Sequence, residues 1–197
     1  MSGLRETKKA ATRSALARAA AEIALREGSE GLTVAAITQA AGVSPRTFHN
    51  YFGSREEALQ AFFTARVQSL VAELDQLPAE LDLLSAVERL VIANLYAEDA
   101  ELESFATLFR LGEILEMLGA VPTPHNRQLG ALLDPMLPIV HPRLPGYSDF
   151  EVTVMLRVIG GAVSTALEWH YGTPQADRDP AVGEQFVRRA IDVLRRT

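Results

Sequence analysis

The punctuation of this chain constrains its fold more than any single motif. Proline and glycine clusters at Pro78, Gly119 to Pro124, Pro138 to Gly146 and Gly172 to Pro180 divide the region beyond residue 54. The segments between them, approximately 55–77, 81–98, 101–118, 124–140, 149–171 and 180–196, each repeat apolar residues at a helical period. Nothing alternates as a strand would. Three shorter segments precede these six. Leu16, Ala20, Ile23 and Ala24 form one amphipathic stripe between Thr7 and Gly28, with Gly28 and Gly31 ending it. Thr33 is an N-cap candidate for a second helix carrying Val34, Ile37 and Ala41 on one face, and Gly42 breaks it. Ser44-Pro45 reads as N-cap and first-turn proline of a third helix running to about Phe52. The expected fold is all-α with about nine helices. A three-helix helix-turn-helix domain is expected at 1–54 and a helical bundle at 55–197.

Charge is distributed unevenly. The net charge is -6, which argues superficially against a nucleic-acid partner. Through residue 60, however, eight Lys/Arg face six Asp/Glu, whereas the remainder sets eleven against nineteen. Four of the first 13 residues are basic. The acidity therefore belongs to the C-terminal region. The chain has no cysteine, which excludes disulfides, thiolate metal sites and cysteine nucleophiles. No uninterrupted apolar run approaches the roughly 20 residues of a membrane span, and no apolar signal core opens the chain, so a cytoplasmic location without membrane association is expected.

Two short helices joined by a tight glycine turn over Thr33 to Phe52 have the spacing of a helix-turn-helix whose second helix enters the major groove of DNA. Phe48 and Phe52, one turn apart, should pack inward against Ile23, Val34 and Ile37. Arg46 and Asn50 lie two positions either side of Phe48, about 200° around the helix, and so face outward. Arginine and asparagine make bidentate contacts with guanine and adenine edges. Thr47, His49 and Tyr51 carry groups suited to phosphate oxygens, and Arg55 lies in the first turn of the fourth helix, where free N–H groups favour an anion. Ser54 and Glu57 form a capping box at that turn. Any one such residue alone is commonly just solvated; on one face of a capped short helix they form a set.

The run Leu32-Thr33-Val34-Ala35-Ala36-Ile37 to Ala41-Gly42-Val43-Ser44, followed by Thr47-Phe48-His49-Asn50-Tyr51-Phe52-Gly53-Ser54-Arg55-Glu56-Glu57-Ala58-Leu59, resembles the signature of the TetR (tetracycline-repressor) family over about residues 10–60. The resemblance implies DNA contacts from Thr33, Ser44, Pro45, Arg46, Thr47, His49, Asn50, Tyr51 and Arg55. It also implies a dimer on a near-palindromic operator, repression relieved by a small-molecule effector, and no catalysis, cofactor or metal. The chain departs from the family pattern at His49, where tyrosine is usual, at Arg46, where glycine is frequent, at Arg55, where lysine is usual, and at Ala58, which replaces leucine.

By the same resemblance, helices four to seven would enclose the effector and the last two would form the dimer interface. Gly160, Gly161, Ala162 and Ser164, among apolar neighbours, would admit a second helix closely, though packing within one chain gives the same pattern. Expected pocket residues are Phe63, Tyr96, Phe105, Phe109, Arg110, Met117, Met136, Trp169 and His170, with Phe62 and His125 nearby in kind. Each aromatic or methionine equally suits an ordinary core, and Arg110 equally suits an ion pair with Glu113. The alternatives are a helical interaction module of this fold that has lost DNA binding, and a helical enzyme. Against the enzyme, no phosphate-binding glycine loop, nucleophile elbow or paired His-carboxylate motif is present.

Overall fold

The computed structural model describes residues 2–96, 102, 104–120 and 136–196. It is all-α, with nine α-helices among the described residues: α1 (Ser2–Gly31), α2 (Val34–Ala40), α3 (Pro45–His49), α4 (Arg55–Asp75), α5 (Leu83–Leu95), α6 (Phe105–Met117), α7 (Leu137–Val140), α8 (Asp149–Tyr171) and α9 (Pro180–Arg196). Short 3₁₀ turns follow α7 and α8. Most of the expected helix at 124–140, including His125, lies outside the described residues, as do the last two positions of the segment ending at 98.

Local chemistry accounts for the helix ends. Thr33, Ser44, Asp82 and Ser148 are N-caps, each accepting a backbone N–H three residues on. Ser148 and Glu151 form a full capping box, and the Ser148 N–H and hydroxyl hold the Glu151 carboxyl below its usual range. Gly28 takes φ 71°, a left-handed conformation that breaks α1 before its last turn. Several boundaries differ from the sequence expectation: α5 spans Leu83–Leu95 against 81–98, α6 spans Phe105–Met117 against 101–118, and two more differ for local reasons. α1 begins at Ser2 rather than Thr7, extended through the polar residues ahead of its apolar stripe. α3 ends at His49 rather than near Phe52, because its last turn tightens: the Asn50 N–H bonds to Thr47 C=O and the Tyr51 N–H to Phe48 C=O, each three residues back.

The chain forms two compact units, Met1–Arg66 with Arg110–Val121, and Val67–Phe109 with Pro122–Thr197. In the first, Leu16, Ile23, Leu32, Ile37, Phe48, Phe52 and Leu59 are all at most 1% exposed. In the second, Leu74, Leu83, Ala86, Val140, Val152, Leu156 and Ile159 make one buried apolar cluster from α4, α5, α7 and α8. α9 is strongly amphipathic and buries Gly183, Val187 and Ile191. Gly183 admits the buried His170 ring so closely that an added Cβ would lie 2.8 Å from its Nδ1. Among the described residues α8 is the one helix long and apolar enough to cross a membrane by length and composition. Here Val152, Leu156 and Ile159 of α8 belong to the second unit's core.

Candidate nucleic-acid interface

The first unit presents α3 through two opposite faces. Phe48 and Phe52 turn inward, 0% and 1% exposed, with ring centroids 5.8 Å apart. Burying a phenylalanine contributes roughly 1.5–3 kcal/mol, so these two rings fix the rotation of α3 about its axis. Arg46 and Asn50 consequently stand on the exposed side. Neither side chain makes a hydrogen bond or ion pair within the described structure, leaving both heads open to a partner.

The flanking residues are more constrained. The Ser44 hydroxyl accepts the Thr47 N–H at 3.1 Å and lies 2.9 Å from the Thr47 hydroxyl. Thr33 is similarly committed, accepting the Ala36 N–H at 3.1 Å. Pro45 is the first residue of α3, where its missing N–H loses no helix bond. His49 is exposed and meets the edge of the Phe48 ring at 5.3 Å, and Tyr51 is half-buried.

Arg55 is placed differently from its sequence expectation. Its guanidinium turns into the protein, donating to Leu32 C=O at 2.6 Å and pairing with Glu56 at 2.7 Å. Arg55 thereby ties the start of α4 to the end of α1. The helix start beside it is capped as expected, with Ser54 accepting the Glu57 N–H; the Glu57 carboxylate takes the N–H of Gly53.

Sequence reasoning missed Arg13. Its Nη1 donates to Tyr51 C=O at 2.7 Å and its guanidinium lies 4.2 Å from the Phe52 ring centroid, a cation–π contact. It caps the carbonyl end of the α3 turn and braces the recognition helix against α1. Its position three residues before Leu16 on the apolar stripe of α1 was the available signal, since a solvated tail residue has no need of that face.

The nine expected pocket residues fall in both units. In the first, Phe63 is half-buried beside Gly112, Met117 is 70% exposed, and Arg110 donates to Leu25 C=O at 3.1 Å rather than pairing with Glu113. In the second, Phe105 and His170 are buried, Phe109 packs on Tyr171 at 5.4 Å, and Met136 borders the apolar cluster. Tyr96 and Trp169 instead lie on the surface, 56% and 68% exposed. Tyr96 Oη donates to Glu184 at 2.8 Å, and Trp169 rests against Phe186 at 5.9 Å. Helical geometry separates Trp169 from its neighbour His170 by about 100°, so one turns out as the other turns in. Among the described residues no group of three His, Asp or Glu side chains is arranged to hold a metal ion.

A short capped helix with a locked aromatic inner face and exposed Arg46 and Asn50 outside has the geometry of the second helix of a helix-turn-helix. The sequence profile described as bacterial regulatory proteins, tetR family, matches residues 16–62, which span α1 to the first part of α4. The chain is 38% identical over 104 residues to the HTH-type transcriptional regulator TcmR of Streptomyces glaucescens, a match covering 51% of this chain and 45% of that protein. The matched part is thus less than half of TcmR. Its fold is similar to that of the fatty acid degradation regulator FadR from Bacillus halodurans, with a TM-score of 0.52 and 20% identity, covering 93% of this chain and 96% of that one. Residues 16–62 are thus similar to the tetR-family domain, and the likeness to TcmR extends over about half of the chain.

Proposed function

We propose that this protein is a transcription regulator that binds a near-palindromic operator as a homodimer and represses until a small molecule releases it. The observation carrying the DNA-binding part is the pair Arg46 and Asn50, exposed and unpartnered on a helix whose rotation Phe48 and Phe52 fix. In the major groove Arg46 reads guanine and Asn50 reads adenine, while Thr33, Ser44, Thr47, His49 and Tyr51 set the register on phosphates and Pro45 packs against the DNA by apolar contact. Arg55 contributes to that register mainly by holding α4 to α1, and its Nη2 is left over for a phosphate. The functional partition is a DNA-binding domain at 1–54 and an effector and dimerisation domain at 55–197. Two-fold pairing supports a palindromic site because it sets two recognition helices about one DNA turn apart.

The test is selection of bound duplexes from a random library by the purified full chain, followed by a salt titration of the winner. The expected result is a near-palindrome bound with a steep salt slope. No enrichment at low salt, with or without a panel of candidate effectors, overturns this reading in favour of a module that kept the fold and lost DNA binding.

A further inference from the structure

The second unit contains an open cavity of about 350 Å³ between α5 and α9 that the DNA-binding reading does not use. Its lining includes Ser85, Glu88, Arg89 and Ile92 from α5, spaced so that all four share one helix face, and Arg188 and Arg195 from α9. Three guanidinium groups and the Glu88 carboxylate line it, and Glu184 and Asp192 pair with two of those guanidiniums from beside the lining.

Two of the arginines are held in place. Glu184 accepts from Arg188 Nε at 2.9 Å and pairs with Nη2 at 2.7 Å. Arg195 pairs with Asp192 at 3.3 Å and donates to the Ser85 hydroxyl at 3.1 Å. Glu88 lies between them, 3.1 Å from Arg195 and 3.8 Å from Arg188. Its Oε2 is buried and makes the Arg195 contact without hydrogen-bond alignment. Arg89 is exposed and has no partner among the described residues. A guanidinium carries five N–H donors in a planar fork that matches a carboxylate, so Arg89 has its full donor set unspent. Arg188 and Arg195 keep donors beyond those their carboxylates engage.

We propose that this cavity binds a small organic carboxylate. Arg89 takes the carboxylate in a two-point contact, Arg188 and Arg195 flank it, and its carbon body lies on Ile92. The volume falls in the range of small-molecule sites, and Ile92 and Ala93 supply the apolar surface of a lining that is otherwise polar and charged. A carboxylate has a geometric advantage over a spherical anion here, because the fork of Arg89 rewards two oxygens in one plane.

The proposal is independent of DNA binding and is tested without it. In the full-length protein, arginine side-chain Nε–Hε resonances are followed by NMR during titration with benzoate at constant ionic strength. Benzamide, inorganic phosphate and chloride are titrated in parallel. The expected result is a saturable shift at Arg89 with benzoate and none with benzamide or chloride, and, followed at the Arg188 Nε–Hε, a benzoate affinity about tenfold or more weaker in Arg89→Gln. Glutamine is a good helix former at this exposed position, so α5 should persist, which circular dichroism checks. Arg195→Gln, at a second lining residue, should weaken the same response. Absence of a saturable Arg89 shift with benzoate up to about 10 mM, a shift equally large with benzamide, or a response to phosphate alone overturns the proposal.

Discussion

Arg46 and Asn50 gain their meaning from what lies behind them. Phe48 and Phe52 fix the turn of the helix, and Arg13 holds its carbonyl end, so an exposed side chain here is presented in one direction. Arg46→Ala should weaken operator binding by about 1–3 kcal/mol and relax preference at particular base pairs, read by repeating the library selection on the variant. Equal affinity for every duplex would remove direct readout from Arg46. Gly183 makes a second residue-scale case, one concerned with folding. An added Cβ would stand 2.8–3.0 Å from three atoms of the His170 ring, and that ring is buried, with no open side to retreat to. Gly183→Ala should therefore destabilise by about 1–3 kcal/mol in denaturant titration, despite alanine's higher helix propensity. At Gly160 nothing lies within 4 Å of the built Cβ, so the same substitution there should be neutral or stabilising in the single chain. Gly160→Ala is the control that separates crowding from propensity.

At the scale of elements, arginines distant in sequence close the carbonyl ends of helices. Arg110 reaches Leu25 in α1, Arg55 reaches Leu32 just past α1, and Arg13 reaches Tyr51 just past α3, whereas Arg178 closes the end of α8 locally, on Tyr171 and Thr173. Arg143 is the fullest example. Its two terminal nitrogens donate to the carbonyls of Leu74, Leu77, Pro78 and Leu81, joining the last turn of α4 to the approach to α5. α4 has no basic residue in its own last turn, so this remote cation supplies charge there, adding to the backbone N–H bonds that Leu74 and Pro78 C=O already accept from Leu77 and Leu81. Arg143→Ala should cost about 1.5–3 kcal/mol in denaturant titration, and Arg143→Lys should recover only part, because one ammonium point cannot span four carbonyls. A full recovery with lysine would reduce the effect to charge. The start of α5 carries a pH-sensitive cap. The Ser85 N–H bonds Asp82 and holds its carboxyl below its ordinary value. The folded value is thus lower than the unfolded one near 3.9, so the cap's contribution is present above about pH 4 and is lost as pH falls through the folded value. Asp82→Asn should flatten that acid limb while largely preserving stability at pH 7, since asparagine caps nearly as well. Parallel acid limbs in wild type and variant would show that the limb comes from other carboxylates. These elements also show what was legible in the sequence. The bounds of α8 and the start of α9 follow from Ser148-Asp149, Gly172 and Asp179-Pro180, all local signals. Remote arginine caps depend on which helices approach one another, a relation without a fixed spacing, and the same limit explains why nine aromatic and polar candidates did not identify the cavity between α5 and α9.

Over the whole molecule, the unresolved tension is between an acidic protein and a polyanionic partner. With a net charge of -6, long-range attraction to DNA has to come from local distribution, and one α3 offers only a few contacts. Doubling the site by pairing two chains is the economical remedy, since a second half-site adds its free energy without a second association from solution. The second unit has a surface fit for that pairing. Phe150, Val154 and Val158 recur every four residues on α8 at 77%, 41% and 46% exposure, followed by Gly161 with nothing within 4 Å of its built Cβ. An apolar stripe ending in a small residue on an otherwise ordinary amphipathic helix is costly to leave in water, and a second copy of the same stripe across a two-fold axis would cover it. The double substitution Val154→Glu with Val158→Glu should therefore leave helicity unchanged, because both side chains already face outward. It should turn a dimer into a monomer in sedimentation velocity at micromolar concentration. Operator affinity should fall sharply with it, while binding to an isolated half-site should stay near the wild-type level. A wild-type chain that sediments as a monomer at tens of micromolar would remove the pairing, and an unchanged dimer in the double variant would move it to another face.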